Sequence, residues 1–168
     1  MFARVLIVLF VLFTSLNAYQ SEKEIQAQVI GKISKFITWQ DETKETFVIT
    51  ILKNQFGSAF DDTYKDAKIK GKKVVINYIQ DPSQIKECNV LIIPALSSSE
   101  LKLILEKAKE AKALTISDQK GFAEKSGIVQ ISFVAQKVKL KINLDSAKDA
   151  NLQINSSLLQ IAEVIKGS

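Results

Sequence analysis

Few side chains in this sequence could carry chemistry. Histidine is absent and cysteine occurs once, as Cys88. Without an imidazole there is no Ser-His-Asp or Cys-His nucleophile and no histidine-ligated zinc site. Cys88 lies just before the apolar run Val90–Ile93, where a lone cysteine behaves as a small buried hydrophobe. In an oxidising compartment the alternative is an intermolecular disulfide. Asp61, Asp62 and Asp66 make an acidic group, but Lys65 and Lys68 are interspersed and EF-hand spacing is missing. A solvated helix face is therefore expected, and no metal. The glycine-rich phosphate loops are absent as well, so no cofactor is expected.

One polar set is left. Asn54, Ser97, Ser98 and Asp118 each follow an expected parallel strand, at the sheet end where open α/β folds bind ligands. Ser97 also opens a helix, whose first amides favour an anion. Together the four define a candidate ligand crevice. Capping and turn formation account for the same residues without a ligand. Asn155-Ser156-Ser157 matches a glycosylation sequon, but its place on an expected helix makes it a cap.

The elements that position these residues alternate between helix and strand. Ser21 and Glu24 form a capping box, and Ile25, Val29, Ile33, Phe36 and Ile37 then recur at helical spacing to about Trp39. Phe47–Leu52, Lys73–Ile79, Asn89–Ile93 and Ala113–Ser117 read as strands, the third wholly apolar except at its first residue. Between them lie a short helix at Ser58–Ala67, a helix-like stretch at Ser83–Glu87, and a helix opened by the Ser97/Glu100 capping box and running to about Lys112. Asp118–Gly127 is a loop. Ile128–Val134 and Val138–Leu144 form an antiparallel hairpin, with Lys137, Lys139 and Lys141 on its wet face and at an edge. A last helix is expected over Asn155–Lys166, with Leu158, Ile161, Ala162 and Ile165 inward. Helices between the early strands require parallel crossovers. The fold class is thus α/β: a single-domain α/β sandwich with a mixed sheet.

The composition suits one folded domain, at 46% hydrophobic and 24% charged residues. Arg4, the apolar run Val5–Phe13 and the small or polar residues up to Ala18 have the order of a secretory signal peptide. Residues 1–18 are read as that peptide, cleaved near Ala18 or kept as an anchor, and residues 19–168 as the domain. The chain carries 23 basic and 18 acidic residues, and every basic residue after Arg4 is lysine. Nucleic-acid surfaces favour arginine with interleaved aromatics, so no nucleic-acid partner is expected.

Taken in order, short stretches of the sequence resemble the YfiR family of exported bacterial proteins. Lys35-Phe36-Ile37-Thr38-Trp39 is similar to the family's lysine-phenylalanine-x-x-tryptophan motif. Phe56-Gly57, Gly71-Lys72-Lys73-Val74, Cys88-Asn89-Val90-Leu91-Ile92-Ile93 and Leu114-Thr115-Ile116-Ser117-Asp118 with Gly121-Phe122 follow. Ile128–Phe133, Lys139–Asn143 and Ile154–Leu159 complete the series.

The resemblance implies a periplasmic regulator without enzymatic activity. Its partner would be an inner-membrane signalling protein: a diguanylate cyclase held inactive through its periplasmic part, or a sensor histidine kinase. Some members carry paired cysteines; with Cys88 alone, this chain has no internal disulfide and no intramolecular redox switch. Family members also form dimers. On the first helix, Ile30 lies outside the main apolar stripe and is the candidate dimer contact. The resemblance gives Trp39 the role of core anchor, and Asn143 and Ser156 those of caps. The alternative reading is a periplasmic small-ligand binding module, similar to half of a solute-binding protein.

Overall fold

The computed structural model describes residues 21–40, 43–134 and 137–166. The expected signal peptide lies outside the described residues. In chain order the elements are α1 (Glu22–Ser34), β1 (Ile37–Trp39), β2 (Thr46–Leu52), α2 (Ala59–Tyr64), β3 (Lys68–Ile69), β4 (Lys72–Ile79), β5 (Val90–Ile92) and α3 (Ser98–Glu110). There follow β6 (Leu114–Ser117), β7 (Val129–Val134), β8 (Lys137–Asn143), α4 (Leu144–Asp149), β9 (Leu152–Ile154), α5 (Ser156–Leu159) and β10 (Glu163–Ile165).

The main sheet runs β10-β8-β7-β6-β5-β2-β4-β3. Strands β4, β2, β5, β6 and β7 are mutually parallel, and β8 turns back antiparallel on β7. The fold is therefore α/β with a mixed sheet. The central strands are apolar because both their faces are covered. Helices α1 and α2 bury Ile30, Ile33 and Phe60 against Ile49, Ile51, Val90, Ile92 and Ile116 on one face. On the other face α3 buries Leu101, Ile104 and Ala108 against Leu52, Leu91 and Ile93.

Both expected capping boxes form. Ser21 and Glu24 exchange side-chain-to-backbone bonds at the start of α1, and Ser97 and Glu100 do so at the start of α3. Gly31 lets the two helices of the first face approach. The Tyr64 hydroxyl reaches over it and donates to the Ala27 carbonyl at 2.6 Å, and burial raises the pKa of that phenol. A Cβ at position 31 would overlap the Tyr64 hydroxyl oxygen. Gly31→Ala is expected to cost about 1–3 kcal/mol in urea unfolding. Because alanine is the better helix former, a gain in stability would show that Tyr64 moves aside freely.

Four expectations need correction. The first helix ends at Ser34, not near Trp39. The Ser34 hydroxyl folds back onto the Ile30 carbonyl at 2.8 Å, and Ile37–Trp39 pair antiparallel with Leu152–Ile154. The last helix is a single turn, α5, capped by Asn155 rather than by Ser156. After it the chain runs as β10 beside β8, and of the four residues expected inward only Leu158 is fully buried; Ile161 is 74% exposed. Lys141 consequently does not lie at an edge, since Glu163 is directly opposite it. Finally, the stretch after Asp81 is a 3-10 turn over Pro82–Gln84, set by proline and an Asp81 cap.

Candidate functional site

Along the parallel set the strand order is 2-1-3-4-5, so the chain reverses its direction of travel between β2 and β5. A ligand crevice is expected beyond the carboxyl ends of those two strands. The four candidate residues do lie at that end of the sheet, but they are not brought into one site. The Asn54 side chain is spent on its own loop, accepting from the Phe56 amide at 2.8 Å and donating to the Gly57 carbonyl at 3.0 Å. The Ser97 hydroxyl is held by Glu100 at 2.6 Å. The Ser98 hydroxyl accepts from the Lys125 ammonium at 3.2 Å and faces a different groove. Asp118 alone borders the crevice.

That crevice is filled from within. Ile30, 2% exposed, meets Phe56, Ile92, Ile116 and Ile131 there, leaving a gap of about 20 Å³, room for one water at most. Ile30 is therefore a plug of this crevice, and its side chain offers no surface to a second copy. Gln119 draws the two neighbouring loops together. Its side chain accepts from the Leu96 amide at 3.1 Å and donates to the Leu96 carbonyl at 2.9 Å. Nothing in the local sequence marks Gln119, because its partner is 23 positions away.

A larger depression lies on the α3 face. A doubly wound fold would place a crossover helix between β6 and β7, but here the loop Asp118–Gly127 makes that connection. The result is an open groove of about 600 Å³ between α3 and α4. Leu101, Ala113 and Ile128 are apolar in its lining, and a Lys109–Asp149 ion pair at 2.9 Å links the two helices. Asn143, also in the lining, is fully buried; it donates to the Ala123 carbonyl at 2.9 Å and caps α4 through the Ser146 amide at 3.0 Å. The capping role implied for Asn143 is thus present.

The remaining candidates find ordinary partners. Asp61 accepts from the Tyr78 hydroxyl at 2.6 Å and Asp62 from the Ser58 hydroxyl at 2.7 Å. Among the described residues no group of three or more cysteine or acidic side chains could hold a metal ion. Cys88 is buried in the α3-face core, and that burial pushes its thiol up to about 11. Against its ordinary value of 9.0 this lowers the reactive thiolate fraction about 100-fold. A thiol reagent at pH 8 should therefore label the native protein at least about 100-fold more slowly than the urea-unfolded chain. Labelling of the native protein at the unfolded rate would contradict the burial.

Among curated proteins none matches this chain. Among solved structures the chain is similar to a conserved domain protein from Vibrio cholerae O1 biovar El Tor, with a TM-score of 0.57 and 15% identity. The likeness, which is one of fold, covers 86% of this chain and 60% of that one, so the chain spans less than two thirds of that protein's length. The model of the YfiR/HmsC-like family matches residues 23–163, from the second residue of α1 to the first of β10. With the lysine-phenylalanine-x-x-tryptophan motif entering β1 and the cysteine-led β5 both inside that span, the chain belongs to the YfiR/HmsC-like family.

Proposed function

We propose that this protein is an exported, non-enzymatic regulator that binds the periplasmic part of an inner-membrane signalling protein, a diguanylate cyclase, and holds it inactive. Membership of the YfiR/HmsC-like family over residues 23–163 carries this reading. The plugged strand-end crevice supports it, because the place where α/β sheets take small substrates is occupied by Ile30 and Phe56. Regulation of this kind requires different affinities for the active and inactive partner, since equal binding to both shifts nothing. Among the described residues no helix is long and apolar enough to cross a membrane. If the chain dimerises, the contact must use residues other than Ile30.

The test joins capture and signalling. The mature chain, immobilised, is expected to retain a membrane signalling protein from detergent-solubilised membranes, and deletion of its gene to raise cellular cyclic-di-GMP. Unchanged cyclic-di-GMP with no retained partner would remove the reading. A small-ligand binding module is the second reading, and the α3–α4 groove favours it, its volume falling within the range of ligand pockets. That reading instead expects a thermal shift with a small metabolite and none with a partner domain.

A further inference from the structure

The open side of β8 offers a second kind of surface. Along Lys137–Asn143 this strand pairs with β7 on one side, but β10 covers only Lys141–Asn143 on the other. Beside Lys137–Lys139 no strand of the described residues is paired, whereas Leu140 is buried, next to Lys141, the residue at which β10 begins to pair. Side chains alternate along this stretch: Leu140 belongs to the α1-face core and Val138 shares its face, while Lys137 and Lys139 point to the opposite face. Lys137, Val138 and Lys139 are all exposed.

The chain itself shows what this lane accepts. Where β10 occupies it, Glu163 sits across from Lys141, with Nζ to Oε1 at 3.2 Å, and Val164 sits across from Ile142. Lys141 is further held by Glu124 at 2.6 Å. Lys139 and Lys137 repeat the same position two and four residues earlier, and no carboxylate of the described residues pairs with either.

We propose that the open edge at Lys137–Lys139 is the docking site for an extended segment of the regulated partner. That segment adds as a strand in the lane of β10, with carboxylates opposite Lys137 and Lys139 and an apolar residue over Val138. Backbone bonds supply the adhesion and the alternation supplies the selectivity. A second copy of this chain is a poor occupant, because β8 against β8 would set lysine opposite lysine. The same lysines that discourage self-pairing thus select an acidic strand. This proposal rests on the regulator reading and adds to it the surface and the partner's chemistry.

The probe is an alternating glutamate–valine hexapeptide, added to the mature protein. It is expected to bind and to slow hydrogen exchange at residues 137–139. Lys137→Glu/Lys139→Glu, two exposed changes, should weaken it at least about tenfold with the circular dichroism unchanged. An N-methylated version of the peptide, which keeps the charges but cannot pair its backbone, should fail to bind. No binding, equal binding of the N-methylated peptide, or protection confined to another part of the molecule would overturn the proposal. In parallel, wild type and the double variant are compared for retention of the membrane partner. Equal retention would overturn the docking edge while leaving the regulator reading intact. If wild type retains nothing, the regulator reading falls and the peptide result alone decides the edge.

Discussion

Trp39→Ala is expected to lower the unfolding free energy by about 4 kcal/mol, the middle of the range for removing a buried aromatic side chain. Trp39 is 6% exposed and belongs to the larger core cluster. Its ring meets Phe47 edge-on, with centroids 5.3 Å apart, and the Lys70 ammonium lies 5.4 Å from the ring centre. The indole nitrogen donates to the Asn89 carbonyl at 3.1 Å. Asn89 in turn ties the amino ends of three strands together. Its side chain accepts from the Val48 amide at 2.8 Å, and its carbonyl accepts from the Leu114 amide at 2.9 Å.

The hydrogen bond is the smaller share of that loss. The Asn89 carbonyl keeps its bond from Leu114, so removing the indole donor costs only about 1 kcal/mol. Trp39→Phe, which keeps most of the ring and loses the donor, should therefore fall well short of the alanine effect. Urea unfolding followed by circular dichroism measures both. An alanine loss below about 1 kcal/mol would show that Trp39 does not anchor the junction of β1 with the main sheet.

Local chemistry was legible in the sequence, and distant pairing was not. The two capping boxes depend on residues three apart, and both were readable to the residue. The apolar runs of β2 and β5 announced a sheet covered on both faces. Ile37–Trp39 is not legible as a strand because Ile33, Phe36 and Ile37 also fit a helical stripe. What makes that segment a strand is Leu152–Ile154, more than a hundred positions away. The same applies to β10, whose partner β8 is about twenty residues back and rewards extension more than a helix of mixed polarity would.

The candidate site follows the same division. The topology correctly located Asn54, Ser97, Ser98 and Asp118 at the carboxyl ends of the parallel strands. Whether that end stands open depends on Ile30 from α1, Phe56 from the loop after β2, and the reach of Gln119 to Leu96. Ile30 falls outside the stripe that Ile25 and Phe36 define by spacing, but both of those residues are partly exposed. The buried stripe is instead Ala27, Ile30, Gly31, Ile33 and Ser34, in which two small residues and a serine disguise the inward face.

Gly127→Ala and Phe122→Ala are each expected to destabilise the protein strongly, yet together to cost little more than Phe122→Ala alone. The Phe122 ring, on the loop that stands in place of the crossover helix, is fully buried in the α3-face core. It lies directly over Gly127, so that a Cβ there would overlap the ring at three carbon atoms. The loop is closed around this contact. The Gly127 amide donates to the Phe122 carbonyl at 2.9 Å, and the Phe122 amide donates to the Gln130 side chain at 3.0 Å. Removing the ring should cost about 4 kcal/mol through lost burial and a cavity. Adding the methyl group beneath it should cost about 2–3 kcal/mol through overpacking. In the double variant the added methyl meets empty space, so the total should stay near 4 kcal/mol, a coupling of about 2–3 kcal/mol. Strictly additive losses would mean that position 127 requires glycine for its backbone and not for the ring. Gly127 is not among the glycines with positive φ, which are Gly57, Gly71 and Gly121. Its backbone is therefore one an alanine can adopt, which makes the ring the cause.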